Sequence, residues 1–182
     1  HSAEQPFAFA ELSAASRNLQ LKTDLVDAKI QSLNVHWPTY IQADDVKYSG
    51  SGKQIKLGNL RVDGIGKDGD KWRSTSVTSK SIYFSQEGVI VNLDSIHVDY
   101  PSWHNQKPHA TFLEVYRPEV RLTSNDQQKT NQGDKKTKVP VSELVPDRFV
   151  VHPGKVELAD GKTVIFGTIR GNFPEKNIVI QS

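Results

Sequence analysis

The feature that most constrains this chain is an eight-residue pattern that occurs three times. The copies are residues 28–35 (AKIQSLNV), 55–62 (IKLGNLRV) and 91–98 (VNLDSIHV). Each copy has apolar residues at its first, third, sixth and eighth positions and polar residues or glycine elsewhere. Apolar residues two apart indicate a β-strand with one apolar face. The step of three in the middle reverses the alternation, so we predict a bulge or a kinked turn there that corrects it.

The spacing of the copies indicates one supersecondary unit that is used repeatedly. The copies start 27 and 36 residues apart, and two of them end in similar exits, VHWP at residues 35–38 and VDYP at 98–101. Repetition at this scale predicts a unit reused along a sheet. Such a sheet has a long one-sided apolar surface and not a compact catalytic pocket.

Composition limits the size of the core and the kinds of partner. The 182 residues suit one domain, or one domain with a small extension. Only 36% of them are apolar, which fits a flat or curved sheet better than a thick two-layer core. The net charge is +2, with 23 basic and 21 acidic residues well mixed, so we expect no nucleic-acid partner. Cysteine is absent, which excludes disulfides and thiolate metal sites.

The start of the chain carries its own expectation. There is no methionine, even at position 1, so we expect a form left by signal removal or by excision, and His1-Ser2 could be a vector remnant. No apolar run reaches the roughly 20 residues that span a bilayer. A signal peptide or a membrane anchor would therefore lie upstream of this sequence.

The alternation of residues predicts an almost entirely β chain. Short turn-rich connections, such as residues 49–52 and 86–88, separate the strands, and short connections favour antiparallel neighbours. We predict an all-β fold, an antiparallel meander that forms either a curved, open sheet with a groove or a β-sandwich. The expected strands lie near residues 18–25, 27–37, 40–48, 53–63, 72–85, 88–100, 109–122, 147–152, 154–159, 162–170 and 176–181.

Four segments follow from the same pattern. Residues 1–16 form a lead-in that is either a short helix or extended, and residues 17–123 form the main meander. Residues 124–138 contain no apolar side chain and are predicted to be a flexible polar loop. Residues 139–182 are too few for an independent core, so their strands should belong to the same sheet system.

Motifs that would carry cofactor or metal chemistry lack their context. Residues 64–69 match GxGxxG, but β-forming residues follow where a dinucleotide site needs a helix, so we predict a hairpin loop. His104 and His109 have no evident further zinc ligands and are predicted to be exposed loop residues. Residues 68–70 resemble part of a calcium loop without its remaining ligands. We therefore predict no cofactor and no metal site.

No catalytic signature is present, and we predict that the protein is not an enzyme. Glu114, Glu119 and Asp99 are as well explained as surface charges of strands as they are by acid–base roles. The three tryptophans and five tyrosines could form a sugar-stacking platform, but amphipathic rings also suit the rims of a sheet, which is the preferred interpretation. The residues concerned are Trp37, Trp72, Trp103, Tyr40, Tyr48, Tyr83, Tyr100 and Tyr116.

Several segments together resemble the AsmA-like superfamily, which includes TamB-like proteins. The likeness covers roughly residues 18–122 and 139–170 and consists of strands followed by a structural proline and a Val-x-Leu unit, or by Gly-x-Val. It is carried by residues 28–38, 43–48, 55–62, 89–98, 112–122, 141–144 and 150–158.

The resemblance implies a periplasmic β-groove on a protein of the Gram-negative cell envelope. It implies an inner-membrane anchor upstream of this chain, an architecture related to the lipopolysaccharide-transport proteins LptC and LptA, and a role in lipid transport or outer-membrane biogenesis. The expected partners are acyl chains of lipid or lipopolysaccharide and, through the sheet edges, other envelope proteins.

The residues themselves agree with this expectation, because a sheet with one apolar face must cover that face. We predict a concave lipid-binding face formed by the apolar positions of the three copies: Ile30, Leu33, Val35, Ile55, Leu57, Leu60, Val62, Val91, Leu93, Ile96 and Val98. The alternative is an extracellular β-sandwich that binds protein or glycan. An open groove with a continuous apolar floor would favour the first function, and two packed sheets about 10 Å apart would favour the second.

Overall fold

The computed structural model describes residues 12–68, 71–104, 107–123, 146–175 and 177–181, and these residues form seventeen strands. In chain order, the strands are β1 (Leu12–Lys22), β2 (Val26–Trp37), β3 (Tyr40–Gly50), β4 (Lys53–Asp63), β5 (Gly66–Asp68), β6 (Lys71–Arg73), β7 (Ser76–Gln86), β8 (Val89–Asp99), β9 (Ser102–His104), β10 (Lys107–His109), β11 (Phe112–Tyr116), β12 (Glu119–Leu122), β13 (Arg148–Val151), β14 (Gly154–Glu157), β15 (Thr163–Phe166), β16 (Thr168–Asn172) and β17 (Asn177–Gln181).

The strands form one large sheet and one small sheet. The large sheet has thirteen strands in the order β1-β2-β3-β4-β7-β8-β11-β13-β16-β17, with β12, β14 and β15 continuing β11, β13 and β16 beyond short interruptions. It is curved and open, and it does not close into a barrel. The small sheet has the order β10-β9-β6-β5 and arises from the connections between β4 and β7 and between β8 and β11. The predicted all-β class and open sheet are thus confirmed.

The large sheet departs from a pure antiparallel meander at one seam. From β1 to β12 the neighbouring strands are antiparallel, but β11 pairs with β13 in parallel, and β12 pairs with β14 in parallel. Residues 124–145 connect these strands and lie outside the described residues. They include the predicted polar loop 124–138, which is therefore not described either. A parallel neighbour needs a long crossover connection, and this is the one place along the sheet where the chain has the length for it.

The ends of the predicted segments can be compared with the strands. Strand β1 begins at Leu12, so residues 12–16 of the lead-in are extended, and residues 1–11 lie outside the described range. The strands from β13 to β17 all belong to the large sheet. The GxGxxG segment continues into β5, which pairs with β6 as a hairpin, so no helix follows it.

A line of interruptions crosses the large sheet at the middle of each eight-residue unit. Between β2 and β3, Gln31 and Asp45 lie opposite each other but are not paired in the ladder. The same is true of Ser81 on β7 opposite Gly58 on β4 and Asp94 on β8. The register is the same before and after each interruption. Along this line, alternate strands place one residue in the left-handed region, namely Asn18, Asp45, Ser81 and Arg117 with φ between 45° and 55°. Such a residue re-aims the strand, so both halves present their apolar side chains to one side. The unpaired residue in the middle of each repeat is the interruption that the reversed alternation predicted, although the left-handed residues lie on the neighbouring strands and not within the repeats.

The structure has almost no enclosed interior. Each strand makes its contacts with its hydrogen-bonded neighbours, so the described residues form a single layer at nearly every point. Ala43, 4% exposed, is buried, as are Pro118 and Pro146, but no larger aliphatic and no aromatic side chain of the described residues is. Ser79, 3% exposed, lies one strand beyond Leu60 in the same row and donates a hydrogen bond to the carbonyl oxygen of Asn59 at 2.7 Å. The most protected point of the fold is therefore the line of interruptions.

The left-handed residues provide a direct test of this line. We expect Ser81→Val to lower the free energy of unfolding by roughly 1–2 kcal/mol, because a β-branched residue is strongly disfavoured at φ 53°. Ser81→Gly should leave stability unchanged or raise it. Ser85→Val, in the regular part of the same strand, is the matched control and should be tolerated. Urea unfolding followed by circular dichroism measures all three variants, and equal stability of S81V and S85V would contradict the assignment.

Candidate functional site

The predicted face exists as one continuous apolar surface. Residues directly opposite each other in a ladder share a face, and the register joins the eleven predicted residues into rows that run across the strands. All eleven are half-buried: covered by their neighbours at the sides and open above. The row nearest the small sheet runs Val35, Ile41, Val62, Val77, Val98, Leu113 and Phe149.

The repeats predicted this face only on β2, β4 and β8. The same spacing occurs on the strands between them, with Ile41, Ala43, Val46 and Tyr48 on β3, and with Val77, Ser79, Ile82 and Phe84 on β7. It continues on β11 and β12 with Leu113, Val115, Pro118 and Val120. Small or polar members such as Ala43 and Ser79 hid these copies, although the spacing was readable.

The face reaches both edges of the large sheet. Leu19 pairs with Ile30 at one edge, and Ile180 pairs with Ile169 at the other. The edge strands expose large apolar side chains, among them Leu21, Ile178 and Ile180. Soluble monomers rarely expose large contiguous apolar patches, so this surface is the candidate binding site.

A pocket of about 560 Å³ lies where the apolar face meets the small sheet. Its floor is formed by Val62, Val77, Val98 and Leu113, with Ile41 beside them. The rest of the lining comes from loops and short strands: Ile65, Trp72, Arg73, Ser74, Pro101, Ser102, His109, Ala110 and Pro146. Its volume is within the range of about 300–1,000 Å³ that small-ligand sites occupy. The apolar face therefore ends in an open pocket whose lining also includes polar residues.

Hydrogen bonds hold the small sheet at this end. The amide of Ser74 donates to Pro101 at 3.0 Å, and the amide of Thr75 donates to Asp63 at 2.9 Å. Trp72 contacts the edge of Trp37 with ring centres 6.3 Å apart. These contacts join the small sheet to the large one as a wall of the pocket. The small sheet was not predicted, because strands of three residues show no period.

The opposite face of the sheet is polar and carries the titratable groups. Asp44 accepts hydrogen bonds from Ser32 at 2.7 Å and from Asn59 at 2.5 Å. Both bonds lower the pKa of Asp44, and the bond from Ser32 has the larger effect. Glu114 accepts a hydrogen bond from His152 at 2.8 Å, and this bond is the main cause that lowers the pKa of Glu114. These groups join neighbouring strands and lie in no enclosed cavity.

The three carboxylates considered for catalysis each contact a histidine or lysine side chain on this polar face. Glu114 lies against His152, Glu119 lies 2.9 Å from the Lys155 ammonium, and Asp99 lies 2.8 Å from His97. Within the described ranges, no group of three His, Asp or Glu side chains could hold a metal ion. Each of these carboxylates contacts a basic side chain on its own or a neighbouring strand.

The tryptophans lie together at the small sheet, where Trp72 contacts Trp37 and pairs with Trp103 in the ladder, whereas the tyrosines and histidines are dispersed. Tyr40 contacts Arg61 on the polar face, Tyr83 lies under Lys56, and Tyr116 stacks on His152 with ring centres 4.1 Å apart. Tyr48 belongs to the apolar face, opposite Ala28 and Ile55. The prediction that His104 and His109 lie in a loop is wrong, because they end β9 and β10, which pair with each other. His109 is exposed and lies 3.4 Å from Asp147, and the side chain of His104 is outside what the structure describes.

The pKa shift of Glu114 leads to a pH prediction. A carboxylate with a lowered pKa in the folded state contributes stability above its unfolded value of 4.5 and loses it as the pH falls through its folded value. We expect the free energy of unfolding to fall with acidification below pH 4.5, and Glu114→Gln to make that fall shallower. Glu119→Gln is the control on β12 and should keep the original slope. An unchanged slope in E114Q would contradict this role.

Comparisons with known proteins identify no relative of this chain. No protein-family model matches the chain, and neither a curated protein nor a solved structure matches it significantly. In the part of the chain that the structure describes, no helix is long and apolar enough to cross a membrane.

Proposed function

We propose that this chain is a non-enzymatic lipid-handling domain of the bacterial cell envelope. Its open apolar face shelters the acyl chains of a phospholipid or of lipopolysaccharide, and it acts in lipid transport or in outer-membrane assembly. The location that suits this role is the periplasm, with an inner-membrane anchor supplied from upstream of this chain, as the AsmA-like resemblance implies.

One observation carries the proposal: a continuous apolar face that crosses the large sheet from β1 to β17 and that, among the described strands, only the small sheet covers, at one end. Each acyl CH₂ that leaves water on such a surface contributes about 0.8 kcal/mol. A surface of this kind binds through its length and apolarity and needs no catalytic group. The rows of aliphatic side chains supply both properties.

The competing function was a sandwich that binds protein or glycan. That function needs two packed sheets with closed inner faces. The open sheet supports the lipid-handling proposal instead. The tyrosines lie apart from one another, and the tryptophans that do meet, Trp37 and Trp72, lie beside the apolar pocket. Envelope proteins could still join the sheet at β1 or β17, because edge strands present unpaired backbone groups.

Native mass spectrometry of protein purified from a bacterial host tests the proposal. We expect additional masses that correspond to co-purified lipid, and we expect the delipidated protein to take up a long-chain fatty acid that carries a fluorophore. Lipid-free protein that shows no uptake would contradict the proposal. A sugar or protein ligand bound in the same preparation would support the competing function.

A further inference from the structure

The pocket beside the small sheet has a charged rim in addition to an apolar floor. Arg73 ends β6 and contributes to the lining, together with the indole of Trp72, which is 47% exposed. The ammonium of Lys67 lies 5.7 Å from the centre of that indole. Two cations and an amphipathic ring therefore lie where the apolar face ends.

The charge at this rim is positive and not internally neutralised. None of the described residues that line the pocket is acidic. Arg73 has no carboxylate partner among the described residues, whereas Arg61, Arg117 and Arg121 each have one. The acidic group closest in sequence to the lining is Asp147, next to Pro146, and His109 contacts it at 3.4 Å. An anion at Arg73 would thus gain a partner without displacing one.

From these observations we propose that the pocket selects an amphiphile with an anionic headgroup, a carboxylate or a phosphate. This inference rests on the proposed lipid-handling function and names the ligand class for the same surface. The acyl chain lies over Val62, Val77 and Val98, and the headgroup lies at the rim against the Arg73 guanidinium. Guanidinium groups bind carboxylate and phosphate oxygens with paired hydrogen bonds, which gives selectivity over a neutral headgroup.

The geometry of the small sheet explains how Arg73 is positioned. Arg73 is paired with Gly66 on β5 and with Ser102 on β9, so its backbone is fixed on both sides. The next residue, Ser74, is 8% exposed and bonded to Pro101. The headgroup site is therefore built on a strand that is anchored at the mouth of the pocket.

The experiment compares ligands that differ only in the headgroup. A long-chain fatty acid, the alkyl phosphate and the fatty alcohol of equal chain length are titrated below their aggregation limits against delipidated protein, by displacement of a fluorescent probe. We expect the two anions to bind about tenfold more tightly than the alcohol. A preference for the phosphate over the carboxylate, or the reverse, identifies which anionic headgroup the site takes.

Variants assign the preference to Arg73. Arg73→Gln should reduce anion affinity about tenfold to the level of the alcohol while alcohol binding stays the same, and Arg73→Lys should keep most of the preference. Arg17→Gln, on the polar side of the distant edge strand β1, removes the same charge and should change neither affinity. Thermal melts of each variant establish that it is folded.

The outcomes separate this inference from the function on which it rests. If acid, phosphate and alcohol bind equally, or if Arg73→Gln keeps the preference, the headgroup assignment is overturned and the lipid-handling function stands. If none of the three ligands binds, the proposed function is overturned, and the inference with it.

Discussion

Alanine in place of Gly154 is expected to lower the free energy of unfolding by about 3 kcal/mol, the upper end of the usual cost of over-packing. Gly154 begins β14, opposite Phe166 of β15. A Cβ atom at this position would overlap the carbonyl oxygen of Pro118 and would lie 2.9 Å from Cζ of Phe166. That carbonyl accepts a hydrogen bond from the Lys155 amide at 2.9 Å, so it cannot withdraw without breaking the start of the β12–β14 ladder.

The control for this substitution is Gly66→Ala. Gly66 also lies in a strand, and the nearest heavy atom to a Cβ there would be Nε of Arg73 at 3.9 Å, an ordinary contact. Urea unfolding should show G66A close to the unaltered protein and G154A far below it. The double variant G154A/F166L should not recover stability, because the obstacle is the Pro118 backbone and not the ring. If G154A lowers the free energy of unfolding by less than about 1 kcal/mol, the backbone at the parallel seam can shift to accommodate the added methyl group, which would contradict the prediction.

The strands that sequence patterns found were those with strongly aliphatic repeats. Strands β2, β4 and β8 were readable because Leu, Ile or Val fills nearly all of their apolar positions. The intervening β3 was expected as a strand but not recognised as a copy, since Ala43 occupies a position where the repeats have larger residues. The reversal of alternation did predict a kink, but not which residue turns left-handed: Asp45 and Ser81 are of types that occur throughout the polar face.

The parallel seam and the pocket could not be predicted from local patterns. The seam depends on the direction in which β13 runs beside β11. The strand sequences do not determine whether Leu113 lies opposite Phe149 in a parallel or in an antiparallel pair. The pocket depends on five strands whose ends meet, and on three-residue strands such as β6 that lie within turn-rich segments. Arg73 was consequently one of many scattered charges until the register placed it at the rim.

A second large effect is expected from Leu60→Glu, which places a carboxylate in the centre of the apolar face. Leu60 lies between Ala43 and Ser79 in its row, and both of these are almost fully covered. An acyl chain cannot lie over a charge without desolvating it, so two or three CH₂ groups would lose their contact with the surface. At about 0.8 kcal/mol for each CH₂, uptake of a fluorescent fatty acid should weaken roughly tenfold or more.

Two further variants separate the effect of charge at Leu60 from other causes. Gln54→Glu makes the same change in net charge on the polar side of the same strand and should leave uptake unchanged. Leu60→Gln removes the apolar surface without adding charge and should weaken uptake to an intermediate degree. Urea unfolding of each variant distinguishes lost binding from lost structure, because a folded L60E protein with undiminished uptake would mean that the lipid does not lie on this face.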